Sequence, residues 1–454
     1  MPERGPDTTS DQAPAMPHSD ARQILRLAVP AFLTLIAEPL FLLTDSAIVG
    51  HLGTTSLAAL GVASAVLLTA AGVFVFLAYA TTSVVARRTG AGRRAAALEA
   101  GVDGLWLSLV LGLPTAGLVA AFAGPLTRLM GATGEVVDPA TTYLRIAAAG
   151  IPSLLMVSAA TGVLRGLQDT RTPLIVATAG FGANALLNYL LVYPAGLGIA
   201  GSAIGTVVAQ TGTALVLAAF VVRKAREAGA RLAFHPGDVL AAARTGGPLL
   251  VRTIALRAAF LLTTWVAASL GVVTLAAHQV AMNVFSLLAF ALDALAIAAQ
   301  ALIGTGLGAG DSQYARRATG LMTRWGWIGG LVLGIITALT AWILPPLFSQ
   351  DDAVRSSLTV ALLVLAVTQP ISGAVFVLDG VLMGAGDNKA LAWLSIGTLV
   401  AYAPVLLVLR AHGDEFSEHA AIGLLWASLG WFMVARWIAL RWRSRGDAWL
   451  VTGA

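Results

Sequence analysis

The segments GVLRGLQD (162–169) and GVLMGAGD (380–387) stand 218 residues apart and share their glycines, their Val-Leu pair and their final aspartate. Sliding the chain against itself by the same 218 residues brings Pro30 onto Pro248, Leu52-Gly53 onto Leu270-Gly271 and Leu57-Ala58-Ala59 onto Leu275-Ala276-Ala277. The match continues without a gap through Gly90-Ala91-Gly92 onto Gly308-Ala309-Gly310 and Pro152 onto Pro370. In an apolar chain Leu and Ala coincide by chance, but Pro, Gly and Asp recurring in one register do not. The sequence reads as an internal duplication.

What is duplicated is a set of membrane spans. Of the 454 residues, 57% are hydrophobic and only 11% charged, against roughly 25% charged in soluble domains, and the mean hydropathy is +0.83. That composition excludes an ordinary cytosolic enzyme. Twelve helices of about 20 or more residues, the length a bilayer core requires, fit at 24–48, 57–85, 97–123, 141–165, 173–193, 199–222, 247–269, 275–303, 316–344, 358–383, 390–410 and 420–441. The expected fold is an all-α integral membrane protein, with two six-helix repeats around a central cleft. An even number of crossings gives both repeats the same polarity, so they are parallel and related by an axis along the membrane normal, with the substrate path between them. The expected organisation is a disordered cytoplasmic tail (1–21), an N-lobe (22–222), a cytoplasmic linker (223–246), a C-lobe (247–445) and a second tail (446–454).

Arginine supplies 26 of the 28 basic residues, and alternate connections carry 21 basic residues on one side against 3 on the other. Positive loops stay in the cytoplasm, so both termini and the central linker are expected there, in a bacterial plasma membrane. A sequence pI near 10 thus reflects topology, and no nucleic-acid partner is expected. The absence of cysteine removes disulfides, iron–sulfur clusters and cysteine–zinc sites. The glycine-rich TGAGR (89–93) and GLGAGD (306–311) lack the GK[ST] ending of a phosphate-cradling loop, and no HExxH or Ser/His/Asp grouping is present. Neither an ATP-driven pump, an enzyme, a metal site nor a cofactor is expected.

Charges inside spans are costly and invite a functional explanation. Glu38 and Asp45 are seven residues apart in the first span, within about 20° of the same helix face, and Pro39 between them weakens the helical backbone. A buried acid at a deformable point reads as a proton carrier, because burial favours its neutral form and nearby donors its charged form. Asn184 and Asn188 share a face of the fifth span, with Tyr189 beside them and Thr206 on the next. They are expected to support Asp45. In the C-lobe Gln279, Ser286, Asp293 and Gln300 recur every seven residues and, with Asn283, read as a polar stripe facing the cleft. Arg257, mid-span in the seventh helix, is expected to find Asp293 or Asp379 as counter-ion. Asp169 and Asp387 are expected to cap helices or to pair with Arg171 and Lys389.

The segments EPLFLLTDSAIVGHLG (38–53), GVLRGLQDTRTP (162–173) and LDGVLMGAGD (378–387) resemble the multidrug and toxic compound extrusion (MATE) transporters, most of all their DinF branch. The resemblance runs from about residue 22 to 445. It implies two lobes around a central cleft, acting as a monomer, with proton or sodium entry driving export of amphipathic, often cationic aromatic compounds. Asp45 matches the first-helix acid whose protonation is proposed to bend that helix, and Asn184 and Asn188 match the fifth-helix polar pair. Some relatives carry an acid where this chain has Asn188, which favours protons over sodium here. Asp379 does not fall where another branch keeps its tenth-helix acid. Sodium coupling, or a flippase of lipid-linked or polysaccharide precursors with the same architecture, are the alternatives.

Overall fold

A computed structural model describes residues 21–453; the segment read as an N-terminal tail, apart from Ala21, lies outside the described residues. These form helices and no strands. In the N-lobe they are α1 (Ala21–Gly50), α2 (Thr54–Phe74), α3 (Phe76–Gly90), α4 (Arg94–Ala121), the short α5 (Ala123–Leu129), α6 (Val137–Ala148), α7 (Ile151–Gly166), α8 (Arg171–Val192) and α9 (Gly198–Glu227). The C-lobe holds α10 (Pro236–Ser269), α11 (Val272–Gly308), α12 (Ser312–Thr340), the short α13 (Pro345–Phe348), α14 (Asp352–Gly384), α15 (Asn388–Ala411) and α16 (Glu418–Arg445).

Eleven helical stretches are long and apolar enough to cross a membrane, with α2 and α3 forming one of them. The twelfth span is broken: the helices on either side of residues 149–150 meet at 47°. The stretch read as a polar linker is mostly helical. α9 continues to Glu227 and α10 starts at Pro236, leaving only residues 228–235 as connection, because the Lys and Arg of those turns sit on helix ends that project from the membrane.

The duplicated motif is a packing device. In the N-lobe Gly162 and Gly166 lie against the carbonyls of Ala78 and Thr82; in the C-lobe Gly380 and Gly384 lie against those of Ala296 and Gln300. A Cβ at any of the four would come within 2.2–2.9 Å of the facing oxygen. Small residues four apart let helix backbones touch where the hydrophobic effect offers no force between helices. The same pairing recurs at Gly112 against Pro152 and Gly330 against Pro370.

The lobes meet through α3 and α11. Gly90 rests on the Thr305 carbonyl and Gly308 on the Arg87 carbonyl, with room for no Cβ at either, and Gly304 packs on Ala86. Since the 218-residue offset carries 86, 87 and 90 to 304, 305 and 308, the contact is reciprocal and the pseudo-two-fold axis passes through it. Around it run the hydrogen bonds that join the lobes. Ser83 Oγ donates to the Met383 carbonyl at 2.6 Å, Gln300 Nε2 to that of Tyr79 at 2.6 Å, and Gln168 Nε2 to Thr305 Oγ1 at 3.2 Å. The C-terminal segment is a packed strap over this crossing. Trp449 is buried, Arg87 donates to the carbonyls of Val451 and Gly453 at 2.8 and 2.7 Å, and Gly453 N–H donates to Leu307 at 3.0 Å.

All of these contacts lie toward the end that carries the basic loops. They join the two lobes at the basic end, below the cleft between the lobes.

Candidate functional site

Four helices of the N-lobe converge on Asp45, near the C-terminal end of α1. The side chain is 2% exposed. Its Oδ1 accepts from Ser202 Oγ at 2.5 Å and from Asn188 Nδ2 at 2.8 Å, and its Oδ2 accepts from the Tyr143 hydroxyl at 3.1 Å. The amide network continues outward: Asn188 Nδ2 also donates to Asn184 Oδ1 at 3.3 Å, and Asn184 Nδ2 donates to Thr206 Oγ1 at 3.2 Å. Gly205 makes room for it, since a Cβ there would come within 2.1 Å of Asn188 Oδ1. That Oδ1 is buried and has no hydrogen-bond partner. Among the described residues no Lys, Arg or His forms an ion pair with Asp45.

Sequence reasoning placed Asp45, Asn184, Asn188 and Thr206 together, and the structure brings them together. It missed Tyr143 and Ser202. Ser202 carries a signal, because it stands four residues before Thr206 and so on the same face of α9. Tyr143 carries none, sitting on the short α6 whose direction depends on the break in its span. Tyr189 is not part of the cluster. One residue past Asn188 turns it about 100° around α8, where it is 53% exposed and stacks edge-on against Tyr193 at 5.3 Å. Pro39 lies within a continuous α1, where it lacks the N–H that would bond to the preceding turn and so loosens the backbone there. Glu38 is on the same helix; its side chain lies outside the described residues.

The C-lobe stripe divides in two. Asp293 and Gln300 are at the lobe contact, with the Tyr79 hydroxyl donating to Asp293 Oδ2 at 3.0 Å across it. Gln279, Asn283 and Ser286 continue that face of α11 and are exposed. The lower half of the stripe touches the N-lobe through Asp293 and Gln300.

The expected pairing of Arg257 does not occur. Its guanidinium lies over Gly72, at a position where a Cβ would be 1.8 Å from Nη2, and the residue is exposed. Asp379 is instead held by Arg252, at 2.8 Å, and by Arg436, both on Oδ2. Arg252 precedes Arg257 by five residues, about 140° around the helix after whole turns are removed, so the two arginines of α10 face different neighbours. Asp387 likewise pairs with Arg443, at 2.6 Å, and not with Lys389. Asp169 caps α8 by accepting from Thr172 N–H at 3.0 Å, with Lys224 at 3.9 Å in place of Arg171.

The MatE family model matches the chain twice, at residues 30–190 and 248–408. The chain belongs to the MatE family. The two matches are offset by 218 residues, the register of the internal repeat, so each lobe is one MatE unit. MatE proteins are transporters, and this chain is accordingly a multi-pass membrane transporter and not an enzyme. Among MatE relatives, the Arabidopsis thaliana protein DETOXIFICATION 44, chloroplastic, is 31% identical over 442 residues, covering 93% of this chain and 81% of the relative. The probable multidrug resistance protein NorM of Bradyrhizobium diazoefficiens is 30% identical, covering 93% of this chain and 92% of its own. The crystal structure of the Vibrio cholerae MATE transporter VcmN in its bent form has the same fold, with a TM-score of 0.84 at 21% identity over 93% of this chain and 97% of that one.

Proposed function

We propose that this transporter exports amphipathic organic cations in exchange for protons, with Asp45 as the proton carrier, as a monomer in a bacterial plasma membrane with its basic end in the cytoplasm. The surroundings of Asp45 carry this reading. As an anion the carboxylate accepts from three neutral donors, each such bond contributing roughly 1.5–3 kcal/mol. Once protonated it has an O–H to place, and the adjacent Asn188 Oδ1 is a buried acceptor without a partner. Rotation of the Asn188 amide turns that acceptor toward the acid at the expense of its Nδ2 bonds to Asp45 and Asn184. Both protonation states thus have a hydrogen-bond pattern, and neither needs a counter-ion.

α1 links this switch to the lobes. Asp45 sits toward one end; toward the other, Ala31 packs with Ala294 and Ile297 of α11, flanked by Phe32 and Leu35. Pro39 lies between them and lacks the N–H that would stiffen that turn. A change in the Asp45 network can therefore tilt the half of α1 that touches the C-lobe. Exchange of one proton for one monocation moves no net charge, so the pH gradient, about 1.4 kcal/mol per unit, drives export without ATP. The neutral polar groups of the cleft wall, Gln279, Asn283 and Ser286, suit a cation better than an anionic lipid-linked precursor. Of the C-lobe arginines, Arg252 and Arg436 are buried on Asp379 and do not line the cleft as anion ligands.

Purified protein in liposomes, with pH and sodium gradients imposed separately, tests the reading with ethidium as the followed cation. Uptake driven by the pH gradient alone is expected. Movement driven solely by sodium overturns proton coupling, and translocation of a lipid-linked oligosaccharide without ethidium transport overturns the cargo class.

A further inference from the structure

A cavity of about 440 Å3 lies at the basic end, between α3 and α4 of the N-lobe, the 231–238 stretch and the start of α10. Its inner wall is apolar, made by Phe76, Leu77, Ala80 and Leu107. Its mouth is charged, and most of those charges are already engaged. Arg231 pairs with Asp238, Glu99 Oε1 accepts the Arg231 backbone N–H at 3.1 Å, and Arg88 donates to the Ala96 carbonyl at 2.9 Å; Arg93 is exposed. Asp103 lines the cavity, and although the residue is 8% exposed it forms no hydrogen bond or ion pair among the described residues. Its carboxylate opens onto the cavity, a space of the size that small-molecule sites occupy.

We propose that this cavity is a second binding site, for an amphipathic monocation whose charged head meets Asp103 and whose apolar body packs on Phe76 and Leu107. The ligand class is the one taken as cargo under the proposed function, and the site lies at the basic end. Its walls come from both lobes, Ala100 on α4 facing Ala242 on α10 across the contact that closes the basic end. A ligand that binds only when both walls are present favours the arrangement in which the lobes meet at the basic end.

The natural chain has no cysteine, so an introduced one reports alone. In the full-length protein without any gradient, ethidium is expected to slow maleimide labelling of Ala100→Cys and of Ala242→Cys. Adding Asp103→Asn to either should raise the half-protecting ethidium concentration at least tenfold, whereas Asp103→Glu should restore it to within about threefold. Ser286→Cys, in the cleft, should keep its own protection in the Asp103→Asn background, which shows that the protein is folded. Absence of protection at Ala100→Cys, or protection that Asp103→Asn leaves unchanged, overturns the site. Failure of the cargo reading shows separately, as absence of protection at Ser286→Cys.

Discussion

Asp45 and Asp379 are both carboxylates buried inside spans, one in each lobe, and their surroundings are opposite. Asp45 is held by a hydroxyl, a phenol and an amide, all neutral; Asp379 is held by two guanidiniums. A carboxylate between two cations has every reason to stay ionised, and removing it strands both charges. One held by neutral donors can lose or gain a proton and rearrange hydrogen bonds. Burial alone therefore says little about which acid moves protons; the charge of its partners decides it.

The largest expected effect separates the two by stability. Asp379→Asn leaves Arg252 and Arg436 buried without a counter-charge, a loss of about 3–5 kcal/mol, and its thermal unfolding in detergent should fall well below that of the parent. Asp45→Asn keeps the size of the side chain and removes its charge, so its unfolding temperature should stay near the parent's while pH-driven ethidium transport drops to background. The comparison breaks if the two variants behave alike in both assays.

A smaller loss is expected at Gly205→Ala. The new methyl needs the space of Asn188 Oδ1, and transport should fall about tenfold, on the order of the 1.4 kcal/mol that a displaced hydrogen bond is worth. Tyr143→Phe removes one of three donors to Asp45 and should lower transport several-fold, with folding intact. Tyr189→Phe, on the exposed side of α8, should stay within about twofold of the parent. If Tyr189→Phe were the more damaging of the two phenol losses, the placement of Tyr143 at the proton site would fail.

The duplication sharpens the contrast. At the 218-residue offset Asp45 falls on Thr263 and Asn184 on Tyr402; Thr263 and Tyr402 are hydrogen-bonded to each other at 2.7 Å, whereas Asp45 reaches Asn184 only through Asn188. Tyr143 and Ser202 fall on Ala361 and Ala420. The second lobe joins the corresponding helices through two hydroxyls and has no acid at that position, which leaves proton chemistry to the first lobe.

The sequence by itself determined the number of spans, their common polarity, the two-lobed symmetry and the identity of the first-helix acid with its amide pair. Those features follow from hydropathy, from parity of crossings, and from residues four or seven apart on one helix, all of which are local or periodic. Tertiary structure alone decided which arginine meets which acid, because Arg252 and Arg257 differ only in the direction they face around α10. It alone brought Tyr143 to Asp45 across the bend between α6 and α7, and it alone set Asp103 against a cavity. Helix rotation and interhelical approach are fixed by packing, glycine against carbonyl, and a linear pattern does not contain the azimuth at which two helices touch.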